Sequence, residues 1–281
     1  MTRLIKAPAL KSLLLVGVAV AVLAACNRKE EEAAAPPPAI PAGPAGAAAS
    51  NQPLAYESKN SFANVKLTLP EAVKGQPELH KAVYDASVKD LQTFVEGAQA
   101  DRTEAGGDGG MPPYERVIEY GTAVQTGKLF GLSGTSYEFT GGAHGNPAYM
   151  AVLWDKALKR RIDLNALLKP GADRGALERL LCAAVNAEKK VRDPQAETLT
   201  LGPPKDGAYW SCPALSETVV GLAPSTTPGK AGGLTFLIGP YVVGPYAEGG
   251  YEIDLPQSAI RALLNPAYAD EFAGAPPKRE G

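Results

Sequence analysis

The chain has 281 residues, with 28 lysines and arginines, 30 aspartates and glutamates, and a formal net charge of −2. Nucleic-acid-binding proteins carry a clustered basic footprint, so this balance argues against that class. Two histidines and three cysteines are few for a zinc site, which needs three or four protein ligands. We therefore predict no metal and no cofactor, although carboxylate ligands leave a mixed site open.

The first 25 residues resemble a bacterial lipoprotein signal peptide. Arg3, Lys6 and Lys11 precede an apolar run, SLLLVGVAVAVLAA, which is shorter than the roughly 20 residues of a membrane-spanning helix. Small alanines then lead to Cys26, the position that carries the lipid in this class of protein. The resemblance implies a lipid-anchored periplasmic protein. Asn27, in place of an aspartate, favours the outer over the inner membrane.

Residues 26–54 form an Ala/Pro-rich tether, in which prolines favour extended, solvated backbone. Cleavage before Cys26 removes three basic and no acidic residues, which leaves 25 basic and 30 acidic residues and a net charge of −5. The remaining chain is long enough to bury a hydrophobic core.

Two elements are predicted early in the body. NSFANVKLTLP alternates apolar and polar residues, which predicts a strand that ends at Pro70. PELHKAVYDASVKDLQTFVEGA has helical spacing and predicts a helix from Pro77 to Gly97. His80 is expected at the edge of that helix rather than as a ligand. The segment ADRTEAGGDGGMPPY is predicted to be an acidic loop.

The rest of the chain is rich in strands. A hairpin is predicted around QTGK, and a strand, turn and return strand in AYMAVLWDKALKRRIDL. Helices are predicted for LNALL, for DRGALERLLCAAVNAEKKV with Asp173 as the N-cap, and for QSAIRALL. A strand, a loop and a second strand are predicted for LTFLIGPYVVGPYAEGGYEIDLP. Residues 273–281 are predicted to be a disordered tail. The pattern predicts an α+β fold of antiparallel sheets with helices packed on one side.

Two cysteines remain after Cys26 is assigned to the lipid. Cys182 and Cys212 are an even pair in an oxidising compartment, so we predict a disulfide bond between them. A reactive catalytic thiol is the alternative, although no histidine lies near either cysteine in the sequence.

Three stretches resemble domain-of-unknown-function family 3298: the segment from YEFTGGAHGNPAYM to LLKPGA, the helix after it, and LTFLIGPYVVGPYAEGGYEIDLPQSAI. This resemblance implies a C-terminal α+β domain at residues 140–272. Residues 55–139 are similar to the small family 4163 domain that usually precedes it. In other proteins that resemble this one, the two domains occur together in the extracellular part of a lysozyme-sensing anti-sigma factor or beside the catalytic domain of a peptidoglycan deacetylase. The resemblance implies a non-catalytic binding module, whose partner is a lysozyme-type protein or peptidoglycan.

His144 stands in TGGAHGNPAY, where Gly141 and Gly142 permit positive φ between two strands. The favoured interpretation is a turn in which the imidazole bonds to backbone groups. Contact with a partner is the second interpretation. The third is a catalytic base in a hydrolase or deacetylase that acts on envelope polysaccharide. GLSGT around Ser133 lacks the G-x-S-x-G pattern, and no catalytic residue is assigned.

The Gly/Pro/Tyr loop is the better candidate for a contact surface. Tyr241, Tyr246 and Glu248 lie on backbone that Pro240 and Pro245 stiffen. Rigid aromatic side chains bury a large area at small entropic cost, so they are good interface anchors. We predict Tyr246 to be the main anchor and solvent-accessible. The alternative is that the tyrosines pack on the sheet.

Overall fold

A computed structural model describes residues 49–107, 110, 112–204 and 207–278. The predicted signal peptide, Cys26 and nearly all of the tether lie outside the described residues, as do residues 279–281. The folded body belongs to one compact unit, Gly46–Gly281. Within the part of the chain that is described, no helix is long and apolar enough to cross a membrane.

The first sheet has six strands in the order of the chain. They are β1 (Ala55–Lys59), β2 (Ala63–Thr68), β3 (Tyr114–Gln125), β4 (Leu129–Phe139), β5 (Asn146–Asp155) and β6 (Arg160–Ile162). All neighbours are antiparallel except β2 and β3, which run parallel because helix α1 (Pro77–Glu104) crosses over between them. The α+β class is confirmed, with one parallel pair that the sequence pattern did not predict.

Helix α1 continues seven residues beyond its predicted end at Gly97. A glycine in a helix interior costs about 1 kcal/mol relative to alanine, but packing beyond it offsets this cost. Ala98 and Arg102 are buried, and the Arg102 guanidinium donates to the carbonyl oxygen of Pro112 and lies over the Tyr114 ring. The first part of the predicted acidic loop is therefore helical.

His80 does not lie at the helix edge, as we predicted, but inside the body; that it is not a ligand stays a prediction. Its side chain is fully buried, and Nε2 lies 3.0 Å from the carbonyl oxygen of Pro53. This bond holds the segment that leads into β1. The side of α1 that carries His80 packs against the segment around Pro53, a contact that helical spacing alone cannot predict.

The second sheet has three antiparallel strands. They are β7 (Val219–Ala223), β8 (Gly233–Ile238) and β9 (Tyr251–Pro256). All six residues of β8 are buried. Helix α1 packs on the first sheet, and helix α3 (Arg174–Arg192) packs on β9. Short helices α2 (Leu164–Leu167), α4 (Gln257–Ile260) and α5 (Pro266–Ala269) complete the body.

Strands β4 and β5 contribute to both hydrophobic cores. Phe130, Leu132 and Trp154 belong to the core beneath α1, whereas Leu129 and Leu153 belong to the core shared with the second sheet. The predicted domain boundary at 139/140 falls on the connection between these two paired strands. The sheet is continuous across it, and the division into two domains stays a prediction.

Helix α3 begins as predicted, because the Asp173 side chain accepts a hydrogen bond from Ala176 N. Cys182 on this helix is bonded to Cys212, with Cα atoms 5.2 Å apart, so the predicted disulfide is confirmed. Within the segment 273–281 that we predicted to be a disordered tail, residues 273–278 are described, and two of their carbonyl groups are hydrogen-bonded. Ser225 Oγ donates to Ala273 O, and Thr226 N to Ala275 O, because these carbonyls lie against the loop after β7.

Candidate binding site

Two loops that are far apart in the sequence meet in the fold. The histidine loop (residues 140–145) joins β4 to β5, and the tyrosine loop (residues 239–250) joins β8 to β9. The Tyr246 hydroxyl donates to the carbonyl oxygen of Gly145 at 2.8 Å, across a separation of 101 residues. The His144 ring stacks on the Tyr246 ring, with centroids 4.0 Å apart and an interplanar angle of 20°. The two predicted motifs therefore form one site.

The histidine loop has the predicted turn geometry. Gly141 and Gly142 adopt φ of 99° and 94°, and His144 Nδ1 lies 3.0 Å from the carbonyl oxygen of Gly145. Gly145 is buried, and a Cβ at this position would overlap the ring of Tyr137. His144 itself is exposed. Its imidazole thus both bonds within the turn and presents a ring face to the tyrosine loop.

Tyr241 is the most exposed tyrosine of the site. Its centroid lies 5.6 Å from that of Tyr246, and 54% of the residue is accessible to solvent. Its φ of 67° is in the left-handed region, where a bulky side chain is strained. We call His144, Tyr241 and Tyr246 the aromatic patch.

Tyr246, the predicted main anchor, is half-buried. It lies in the short 3-10 turn Tyr246–Glu248, and Pro245, with φ of −65°, is the exposed residue before that turn. Its ring stacks on the ring of His144 and lies 5.6 Å from that of Tyr241, so Tyr246 is only partly accessible to solvent. Tyr251, the first residue of β9 after the loop, is a core residue with 1% exposure.

Glu248 was predicted to contact a partner, but its carboxylate is turned toward the body. Lys189 Nζ donates to Glu248 Oε2 at 2.6 Å and to Val243 O at 2.9 Å, and the Tyr251 hydroxyl donates to the same carboxylate at 2.5 Å. A Cβ at Gly244 would overlap this carboxylate. Glu248 therefore fixes the tyrosine loop from within.

Arg192, in the last turn of α3, holds the other end of the loop. Its Nη1 donates to the carbonyl oxygens of Glu248 at 3.2 Å and Gly250 at 3.0 Å, and its guanidinium lies 3.8 Å from the centroid of the Tyr251 ring. Sequence reasoning missed Lys189 and Arg192. Basic residues are common in the last turn of a helix, so nothing in the local pattern marked these two.

The titration of these groups follows from their contacts. Burial raises the pKa of Glu248, but hydrogen bonds from Lys189 and Tyr251 and the charges of Lys189 and Arg192 outweigh it, so the net pKa lies below its ordinary value. Burial, and then the hydrogen bond to Glu248, raise the pKa of Tyr251 far above its ordinary value. The pair is thus an ionised carboxylate and a neutral phenol near neutral pH.

A groove of about 210 Å³ runs beside Tyr246. Its walls are mostly rings, prolines and glycine backbone: Thr135, Pro147, Ala148, Tyr149, Pro240, Tyr246, Gly249 and Gly250. A Cβ at Gly250 would overlap the Tyr149 ring, which lies against the glycine backbone. Few side chains in this aromatic groove offer hydrogen bonds, so its chemistry suits apolar groups.

Within the described residues, no group of three or more His, Cys, Asp or Glu side chains is placed to hold a metal ion. The contacts of the His144 ring are the Gly145 carbonyl and the Tyr246 ring. The site is therefore a surface of packed rings, those of the aromatic patch.

No family model and no curated protein match the sequence. Among solved structures, a DUF3298 family protein from Pseudomonas aeruginosa PAO1 matches with a TM-score of 0.50 and 20% identity, over 78% of this chain and 94% of that chain. A member of the same family from Bacteroides fragilis NCTC 9343 matches with a TM-score of 0.45 and 19% identity, over 74% of this chain and 87% of that one. The chain therefore shares its fold with the DUF3298 family protein of Pseudomonas aeruginosa.

Proposed function

We propose that this protein is a non-catalytic binding protein of the cell envelope, which a lipid on Cys26 anchors in the periplasm, at the outer membrane. It binds a partner protein on the aromatic patch. The observation that carries this proposal is Tyr241, an exposed ring on a backbone with φ of 67°. Strain of this kind costs about 1–3 kcal/mol and is concentrated at functional sites.

The rigidity of the two loops supports binding. Lys189 and Arg192 hold the tyrosine loop, and the Tyr246 hydroxyl ties it to Gly145 of the histidine loop. Because the rings are held before the partner arrives, less conformational entropy is lost on association. Tyrosine is also enriched among the residues that dominate binding energy at protein interfaces.

The aromatic groove favours a protein over a glycan partner. Its walls are rings, prolines and glycine backbone, with Thr135 and two tyrosine hydroxyls as the side-chain polar groups. A sugar presents many hydroxyl groups that need hydrogen-bond partners when they are buried. Apolar side chains of a protein match these walls without that cost.

A lysozyme-type muramidase is the first candidate partner. It follows from the resemblance of the sequence to family 3298 and its preceding domain. The net charge of −5 after Cys26 adds a weak attraction to a basic protein. Peptidoglycan is the competing candidate, and a direct test separates the two.

Catalysis by His144 is the weaker alternative. A general base needs the nucleophile's proton within hydrogen-bond reach. The described contacts of the His144 ring are a carbonyl oxygen and a tyrosine ring, and neither is a nucleophile that it could activate. We therefore assign His144 to the binding patch.

The test uses the chain from Asn27 onward, which lacks the lipidated cysteine, against immobilised lysozyme. Tyr241→Ala is expected to weaken binding by about 2 kcal/mol, or roughly 30-fold in Kd, as for an interface hot spot. Tyr209→Ala is the matched control, because Tyr209 is 87% exposed and lies outside the patch. Circular dichroism checks that both variants fold.

Two outcomes would contradict the proposal. If Tyr241→Ala and Tyr209→Ala bind lysozyme equally well, the patch is not the contact surface. If lysozyme does not bind but the chain sediments with purified peptidoglycan in a Tyr241-dependent manner, the partner is the glycan. A third outcome is that wild type and Tyr209→Ala both retain some other protein from periplasmic extract, whereas Tyr241→Ala does not. That result would support a different protein partner.

A further inference from the structure

The turn between β5 and β6 is strongly basic. Residues 156–161 have the sequence KALKRR, with four basic residues and no acidic one, in a chain whose net charge after Cys26 is −5. Leu158 lies within this turn, and 56% of the leucine is accessible to solvent. Arg160 and Arg161 are exposed as well. We call residues 156–161 the basic turn, which combines an exposed apolar side chain with positive charge.

A buried carboxylate holds the basic turn in shape. Asp155, which is 4% exposed, accepts hydrogen bonds from Ala157 N at 2.9 Å and from Leu158 N at 2.7 Å. The Tyr268 hydroxyl donates to the other oxygen of this carboxylate at 2.6 Å. The exposure of Leu158 is therefore a feature of a hydrogen-bonded turn whose backbone is fixed to the body.

The two arginines of the basic turn are not engaged in ion pairs. Lys159 pairs with Glu78, and Lys156 Nζ donates to the carbonyl oxygen of Thr126 at 2.7 Å. Arg160 and Arg161, by contrast, are in no ion pair with any residue that the structure describes. Their guanidinium groups can each donate several hydrogen bonds to a phosphate.

The basic turn lies at the end of the body where the chain from Cys26 enters. Ser50 N donates to Lys74 O at 2.9 Å, just before the start of α1. Lys159 pairs with Glu78, the second residue of α1. The entering segment and the basic turn therefore both contact the region where this helix begins.

The aromatic patch lies at the opposite end of the same strand. β5 begins at Asn146, directly after the histidine loop, and ends at Asp155, directly before the basic turn. A strand rises about 3.3 Å per residue, so the two features are about 30 Å apart along β5. A surface that contacts the basic turn leaves the aromatic patch facing away from it.

We propose that the basic turn docks the body on an anionic phospholipid membrane. Leu158 enters the interface between headgroups and acyl chains, and Arg160 and Arg161 bind lipid phosphates. Each basic residue close to an anionic membrane strengthens binding about fivefold, and an apolar side chain beside it adds burial. A soluble anionic polymer also offers charges to the arginines, but it has no apolar phase for the leucine.

The lipid on Cys26 makes even a weak contact of this kind effective. A tethered segment has an effective concentration in the millimolar range, so docking needs only modest affinity. The orientation of the docked body, with the aromatic patch facing away from the membrane, rests on the proposed function. The contact between the basic turn and phospholipid does not.

The test uses the chain from Asn27 onward, which lacks the lipidated cysteine, and sedimentation with vesicles. At low salt the chain should bind vesicles of phosphatidylglycerol and phosphatidylcholine in equal parts, and high salt should release it. It should not bind vesicles of phosphatidylcholine alone. Because the net charge of the chain is negative, general attraction cannot produce this result.

Two pairs of variants locate the contact. Arg160→Gln with Arg161→Gln should weaken binding at least about tenfold. Lys89→Gln with Arg179→Gln is the matched control, because both residues are exposed, lie outside the turn and remove the same charge. Leu158→Ser should weaken binding several-fold, whereas Leu201→Ser, at an exposed leucine elsewhere, should not. Circular dichroism checks the fold of each variant.

The lipidated full-length chain gives an independent check. Amide hydrogen exchange of residues 157–160 should be slower on the anionic vesicles than on neutral ones, and exchange in the histidine loop should be equal on both.

The proposal is overturned if the chain binds both vesicle compositions equally or neither, or if the arginine pair and its control lose equal affinity. It is also overturned if Leu158→Ser binds like wild type, since the turn would then bind anions without entering a membrane. None of these assays contains lysozyme. Their failure leaves the aromatic patch intact as a site, and failure of lysozyme binding leaves the membrane result standing.

Discussion

The contact between Lys189 and Glu248 gives the sharpest prediction. The Lys189 side chain is only 5% exposed, and its ammonium donates to Val243 O and to Glu248 Oε2. Lys189→Met keeps most of the side-chain volume but removes this ammonium group. An unpaired carbonyl costs about 1 kcal/mol. The ion pair adds about 1 kcal/mol more, after discounting for Glu248, whose side chain is 35% exposed. We expect a loss of about 2 kcal/mol.

Urea unfolding at pH 7 measures this loss, and thermal unfolding should show a decrease in Tm of about 4–8 °C for a body of this size. Lys81→Met is the control, because Lys81 pairs with Asp85 on the exposed face of α1. That substitution should change the free energy of unfolding by less than about 0.5 kcal/mol. If the two variants are equally stable, Lys189 does not hold the tyrosine loop.

The pH dependence follows from the sign of the pKa shift. The pKa of Glu248 is lower in the folded protein than in the unfolded chain. Its contribution to stability is therefore present above the unfolded pKa and is lost as the pH falls through the folded pKa. The difference in stability between wild type and Lys189→Met should shrink on acidification below about pH 4. A difference that stays constant down to pH 2 would refute the pairing.

Three further predictions concern the loops and the disulfide. Gly145→Ala should destabilise the protein by about 1–3 kcal/mol in chemical unfolding, because the added Cβ overlaps the Tyr137 ring; an unchanged midpoint would count against this packing. Tyr241→Asn should raise the free energy of unfolding by up to about 1 kcal/mol, because asparagine tolerates positive φ, and should weaken partner binding. A lower free energy of unfolding would show that the tyrosine ring stabilises the fold by packing instead of serving as a contact for a partner. Reduction of Cys182–Cys212 should cost about 3–4 kcal/mol, read from unfolding with and without reductant, and an equal midpoint in both would contradict a stabilising bond.

Local sequence patterns predicted several elements correctly. The QTGK turn joins β3 to β4, Asp173 caps α3, and the strand–loop–strand order of the tyrosine loop is observed. Each of these depends on residues within a few positions of one another. Turn residues, caps and side-chain periodicity act over that range, so the local sequence carries the information.

Other features were not predicted from the sequence, because the residues that stabilise them lie far away along the chain. β1 and β7 are short edge strands without strong alternation, and both are defined by the neighbour they pair with. Gly97 lies within α1 because Ala98 and Arg102 pack beyond it. The parallel pairing of β2 with β3 is a property of the crossover, and neither strand's own pattern encodes it.

The sequence by itself determined the residue types of the candidate site: a histidine among glycines, and tyrosines on a Pro/Gly loop. The fold decided which of them act together. His144 and Tyr246 stack only because β4–β5 and β8–β9 bring their loops to the same edge, and Glu248 turns inward only because Lys189 of α3 lies beneath it. Such contacts join residues from different elements. Their free energy depends on packing and burial across the whole body, which no local pattern records.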